Sequence, residues 1–204
     1  MRILSDSFEH GHRIPAEFAM GTSEGSGGNR NPHLRWHDAP AGTRSFALLC
    51  IDTDAPTDGA LVADSNTPIP VAHPRGEFVH WVLADIPADV HEIAAGSCSD
   101  GVTARGKPAP GGPAGARRGL NDYTGWFAGD AQMSGDYLGY DGPYPPAHDL
   151  RLHRYFFRLF ALDVERLAHP ATFAAADVFR AMHGHVLAET ALYGTYSLNA
   201  AVKG

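Results

Sequence analysis

The sequence predicts a mainly β domain with one helix close to its C-terminal end. Three observations carry this. Segments 45–51, 78–86 and 153–162 are short, apolar and dense in Phe, Tyr, Val, Ile and Leu, as strands are. Between them lie turn-forming clusters that hold most of the 23 glycines and 15 prolines. Only the stretch after Thr172 repeats apolar residues at helical spacing. A chain of 204 residues fits one domain spanning 1–204, since about 100–200 residues per domain is usual.

Taken in order, Ile3, Leu4, Phe8, Ile14 and Phe18 predict a short strand and a lead-in loop. Residues 21–32 (GTSEGSGGNRNP) read as a flexible connector, because the phosphate-loop pattern would need Gly-Lys followed by Ser or Thr. His33 to His37 alternates polar with apolar, a half-buried strand with two surface histidines. Ala39 to Gly42 is a turn. Ser45 to Ile51 is apolar throughout and predicts a strand buried on both faces. It runs into Asp52-Thr53-Asp54-Ala55-Pro56, and both aspartates share a face if the strand continues. Pro56 ends the pairing.

Residues 57–76 form a long loop of the kind often used for binding. Phe78 to Ile86 is the next buried strand. His80 is the one polar side chain among its first six residues, and Pro87 closes it. A second long loop, 94–119, carries Arg105, Lys107, Arg117 and Arg118, either a solvated loop or a rim that attracts anions.

Residues 139–162 then join a glycine- and proline-shaped loop to an aromatic strand. Strand alternation puts His153, Tyr155, Phe157, Leu159 and Ala161 on one face. A polar pair at the start of an apolar face, beside a stiff loop, describes a pocket wall. Thr172 is the predicted N-cap of a helix whose apolar face includes Val178, Phe179, Met182, Val186 and Leu187. Residues 194–198 supply a last strand.

The formal net charge of −7 argues against nucleic-acid binding. The two cysteines make no disulfide framework, and Cys50 reads as a buried hydrophobe. No apolar run reaches the ~18–20 residues of a membrane span. The start of the chain lacks a signal-like apolar core, so a cytoplasmic location is expected.

In order along the chain, these motifs resemble the phosphatidylethanolamine-binding protein family, in its bacterial and archaeal Raf-kinase-inhibitor-like branch. The carriers are Asn31-Pro32-His33-Leu34-Arg35-Trp36, the Asp52-to-Pro56 box, His80-Trp81 and Ile86-Pro87. They continue with Tyr140-x-Gly142-Pro143-x-Pro145-Pro146, His153-Arg154-Tyr155 and Gly184-His185-Val186-Leu187. Two departures stand out: Thr53 replaces the family's proline, and residues 147–152 lengthen the loop before His153.

The resemblance implies an antiparallel β-sandwich with short peripheral helices and a C-terminal helix. It also implies a small anion pocket built from Asp52, Pro56, His80, Gly142, Pro143, His153 and Tyr155, with Trp81 a lesser wall candidate. The implied ligand is a phosphorylated headgroup such as phosphoethanolamine, phosphate, or a carboxylate. No cofactor, metal or catalytic residue is implied. A regulated kinase or protease is an expected partner, and a homodimer the expected assembly.

These residue types suit that ligand. His80 and His153 can donate ring N–H, Tyr155 an O–H, and the backbone around Gly142 an amide. Asp52 is expected to orient a histidine and hold it as imidazolium. The alternative is a hydrolase or isomerase using Asp52, His80 and His153 as acid, base or metal ligands.

Overall fold

The computed structural model describes residues 1–108 and 110–203. Among the described residues ten strands and three short α-helices follow one another, with a 3-10 turn at Ala16–Phe18 between the first two strands. They are β1 (Arg2–Leu4), β2 (Gly21–Thr22), β3 (Gly25–Ser26), β4 (Leu34–His37), β5 (Ser45–Pro56), α1 (Gly59–Ala63), β6 (Arg75–Pro87), β7 (Glu92–Ile93), β8 (Arg117–Arg118), α2 (Tyr123–Trp126), β9 (His153–Leu162), α3 (Ala175–Ala181) and β10 (Val186–Tyr196).

Two antiparallel sheets face one another. The larger has the order β10-β9-β5-β6-β8, the smaller β1-β4-β7, and β2 and β3 form a separate hairpin. The expected central strand is central: β5 pairs with β6 on one side and β9 on the other, which is why its run is apolar without alternation.

The inner core lies between the sheets. Ile3, Leu34 and Trp36 from the small sheet meet Phe46, Leu48, Trp81, Leu83, Phe157 and Leu159 from the large one. Burying each such large side chain contributes about 1.5–3 kcal/mol. The outer face of the large sheet carries Leu49, Val82, Phe160 and Leu162, which Val178, Met182 and the edge-packed Phe179 of α3 cover.

The C-terminal third corrects the sequence reading. The helix ends at Ala181, and Val186 and Leu187 belong to β10, where both are exposed. The chain turns at Gly184, with φ +83°, a conformation that glycine adopts without strain. The cap also differs: the Asp177 carboxylate accepts the Ala174 N–H, so Thr172 plays no such part. Only Val186 and Leu187 fall in phase with the helix by accident, because they belong to β10, which pairs residue by residue with β9 from Ala188 to Tyr196.

The long loops also hold more order than their composition predicts. Asp58 caps α1 by accepting from the N–H groups of Ala60 and Leu61. In the 21–32 connector, Asn29 and Asn31 are fully buried.

Candidate functional site

Strand register assembles the site. Asp52 of β5 lies opposite Tyr155 on β9 and opposite Phe78 on β6. His153 precedes Tyr155 by two, so both point to one side of β9. On β6 the pairing jumps from Cys50↔Trp81 to Ile51↔Val79, so His80 is the extra residue of a β-bulge. Bulges re-aim side chains. The bulge lets Trp81 enter the inner core and Val79 the outer one, although they are two residues apart. His80 is thereby free to face the end of the sheet, and Trp81 forms no part of that surface.

A cavity of about 540 Å³ opens there. Asp52, Pro56, His80, His153 and Tyr155 line it. Phe78 and Tyr123 form an aromatic side wall, packed edge to face with ring centroids 5.0 Å apart. At the mouth stand Trp126 and Tyr144, both more than half exposed. The 21–32 stretch, read from sequence as a connector, reaches the rim through Thr22 and Ser23, and the long 57–76 loop reaches it through Val62 and Ser65.

Gly142 and Pro143 do not line the cavity. The Gly142 N–H donates to Asn29 Oδ1 at 2.8 Å, and the Pro143 carbonyl accepts from Met20 and Gly21. These residues bind the loop to the backbone of residues 18–21. A Cβ on Gly142 would sit 2.1 Å from the Phe18 carbonyl oxygen. Because backbone must then move, Gly142→Ala is expected to destabilise the protein by about 1–3 kcal/mol in urea unfolding. Two residues on, Tyr144 stands at the cavity mouth, and its backbone N–H has no protein partner among the described residues.

The cationic rim is also corrected. Lys107 is buried, Arg117 bonds Asp85, and Arg118 bonds the carbonyls of Gly111 and Ala116. Neither they nor Arg105 lines the cavity.

His153 occupies the cavity floor between two carboxylates. Its Nδ1–H donates to Asp52 Oδ2 at 2.7 Å and its Nε2–H to Asp149 Oδ2 at 3.0 Å. Burial alone would lower its proton affinity. The bonds to Asp149 and Asp52 override that and push the pKa up to about 9. The ring is therefore an imidazolium with both donors engaged, so it offers no N–H to a ligand. Asp52 orients a histidine, as its chemistry leads one to expect. The second carboxylate, Asp149, lies in the lengthened loop and is not among the site residues read from the sequence. Burial opposes its charge, but His153 and the fork of Arg75 hold it well below the usual carboxylate range.

Asp54 does not share the face of Asp52. The pairing with β6 slips between Asp52 and Ala55, and Asp54 turns to bond Arg151 and Arg154. It is a fully buried structural charge.

His80 differs from His153. Its Nδ1–H donates to the Asp141 carbonyl at 2.8 Å, and its Nε2 has no partner among the described residues. Burial lowers its proton affinity; Asp52 and the bond to Asp141 oppose this only in part. At neutral pH it presents an Nε2 lone pair. Beside it, at a ring separation of 5.1 Å, Tyr155 is 1% exposed, and its hydroxyl, set against the Asp52 carboxylate, makes no well-formed hydrogen bond among the described residues. Burial, reinforced by Asp52, keeps that hydroxyl protonated.

The sequence profile of the phosphatidylethanolamine-binding protein family matches residues 4–197. The chain belongs to that family. Among its relatives is a UPF0098 protein of Methanothermobacter thermautotrophicus, 33% identical over 96% of this chain and 98% of that protein. A UPF0098 protein of Aquifex aeolicus is 32% identical over 96% and 88%. Escherichia coli YbhB is 29% identical over 97% and 100%.

The fold agrees with a crystal structure of E. coli YbcL, described as a new member of the mammalian PEBP family. The TM-score is 0.71 at 24% identity, over 96% of this chain and 97% of that one. A family homologue from Chlamydia trachomatis gives 0.66 at 26%, over 96% of each. The sandwich inferred from resemblance is thus the fold of the family.

Among the described residues no cluster of His, Cys, Asp and Glu is arranged to hold a metal ion. No helix among them is long and apolar enough to cross a membrane.

Proposed function

We propose that the protein binds a small anion of the phosphate or phosphorylated-headgroup class in this cavity. The observation that carries the reading is the Tyr155 hydroxyl: buried, without a well-formed hydrogen bond among the described residues, and on a ring that packs against His80, whose Nε2 has no partner among them. A buried hydroxyl without a partner costs about 1–3 kcal/mol, a cost that a ligand oxygen accepting its proton would remove. The Tyr144 N–H adds a second donor, and His80 a third once it is protonated. Asp52 and His153 neutralise one another and set the floor. The site recognises its ligand by hydrogen bonds and, among the described residues, carries no free cation of its own.

NMR titration with inorganic phosphate and with O-phosphoethanolamine tests this. Both are expected to perturb His80 and Tyr155, and Tyr155→Phe to weaken binding by about tenfold, the value of one hydrogen bond to a charged group. Equal affinity in wild type and Tyr155→Phe would contradict the reading.

One observation favours a second reading, in which the neutral Nε2 of His80, facing an apolar cavity, acts as a general base on water. His153 and Asp52 drop out of that set, since they bond each other. Turnover of a phosphoester or acyl panel, lost in His80→Ala, would decide for the enzyme.

A further inference from the structure

A buried polar cluster lies behind His80, outside the cavity. Lys107, which composition assigned to an exposed basic loop, is 8% exposed. Its Nζ donates to Asp141 Oδ1 at 3.0 Å, to Ser99 Oγ at 2.9 Å, and to the Tyr140 carbonyl. The Asp141 carboxylate also accepts from Asn29 Nδ2 and Asn121 Nδ2, each at 2.8 Å. Every polar side-chain atom of this cluster is satisfied. Its backbone holds His80 twice, because the Asp141 N–H donates to the His80 carbonyl and the Asp141 carbonyl accepts the His80 Nδ1–H.

We propose that Lys107 and Asp141 are positioning residues for the cavity. By fixing the 140–142 backbone they commit His80 to the Nδ1–H tautomer, so that Nε2 is the atom presented to a ligand. Without that anchor, either nitrogen of a neutral histidine can carry the proton, and an Nε2–H tautomer would put a different set of donors in front of the cavity. The cluster also sets the charge behind the ring. Asp141 faces His80 there, with Asp52 on β5 and Asp122 at the start of α2 completing the acidic neighbours. The Tyr123 and Tyr155 rings pack against it edge to face, at 5.5 and 5.1 Å. Among the described residues, Lys107 is the cation bonded to the Asp141 carboxylate.

This role rests on the reading that His80 meets the ligand, but its test needs no ligand. Histidine ring nitrogen NMR on the full chain, across a pH titration, reports tautomer and midpoint together. Wild type is expected to show Nδ1–H at neutral pH. Lys107→Met leaves the Asp141 charge uncompensated and is expected to raise the His80 midpoint. Asp141→Asn leaves the Lys107 charge uncompensated and is expected to lower it. General loosening of the fold would move both midpoints the same way. The double variant Lys107→Met/Asp141→Asn, which buries no unpaired charge, is expected to bring the midpoint back towards wild type while the Nδ1–H preference falls. Lys107→Arg is expected to preserve both.

Should a single variant fail to fold, the double variant decides on the tautomer alone. An Nε2–H tautomer in wild type, midpoints that shift together, or an unchanged tautomer in the double variant would overturn the proposal. A His80 that phosphate leaves unperturbed, with the tautomer results as expected, would count against anion binding and not against the positioning role.

Discussion

Replacing His153 with alanine is expected to destabilise the protein by about 3–5 kcal/mol, the usual cost of removing one partner from a buried ion pair. The imidazolium lies between Asp52 and Asp149, and all three are buried. Its loss leaves two carboxylates facing a vacated space, with only Arg75 and backbone donors to hold them. Urea unfolding at pH 7 measures this.

The same clamp gives wild type a pH signature. His153 titrates at about 9 in the folded protein, against about 6.5 unfolded. A group whose pKa rises on folding stabilises fully below the unfolded value. That stabilisation is then lost as pH climbs through the folded one. The difference corresponds to about 3 kcal/mol, present near pH 6 and gone above roughly pH 9. Asp149 runs the other way: its depressed pKa contributes above the unfolded value of about 3.9 and is lost as pH falls below it. Stability is therefore expected to decline on both flanks. His153→Ala should lose the alkaline decline. A stability that stays flat from pH 6 to 9 would show that the ring is not held as an imidazolium.

How legible was this in the sequence? Strands β5, β6 and β9 could be read because their apolar runs are long and sharply bounded. The faces of β9 could be read because its alternation is regular. What periodicity misses is where it breaks. Nothing local marks His80 as a bulge residue, yet the bulge is what turns it towards the cavity and Trp81 away. Val186 and Leu187 read as a continuation of α3 because they fall in phase with Val178 and Met182, and only pairing with β9 reveals a strand.

Loop chemistry was the hardest to read. Lys107 looks like any loop lysine until Asp141, 34 positions on, folds over it. Gly142 looks like a ligand cradle but closes on Phe18. Asp149 carried a faint signal: an acidic residue four before a histidine, in the loop where the chain departs from its family's pattern.

The second large effect concerns ligand affinity. Burial lowers the His80 pKa below the ordinary value, so the ring is neutral at pH 7. Its lone pair repels an anion, whereas an Nε2–H would donate to one. Binding should therefore take up a proton, and affinity should rise as pH falls. The slope approaches tenfold per pH unit while free His80 is neutral, and levels off once it is protonated. Inorganic phosphate titrates in the same range and would blur the effect. Dimethyl phosphate keeps a single charge throughout.

The most direct test is calorimetric titration of wild type with dimethyl phosphate between about pH 5.5 and 8, in buffers of different ionisation enthalpy. The account predicts tighter binding at lower pH, with uptake approaching one proton per ligand at the alkaline end. Affinity that does not change with pH, or binding without proton uptake, would contradict the claim that His80 and Tyr155 form an anion site.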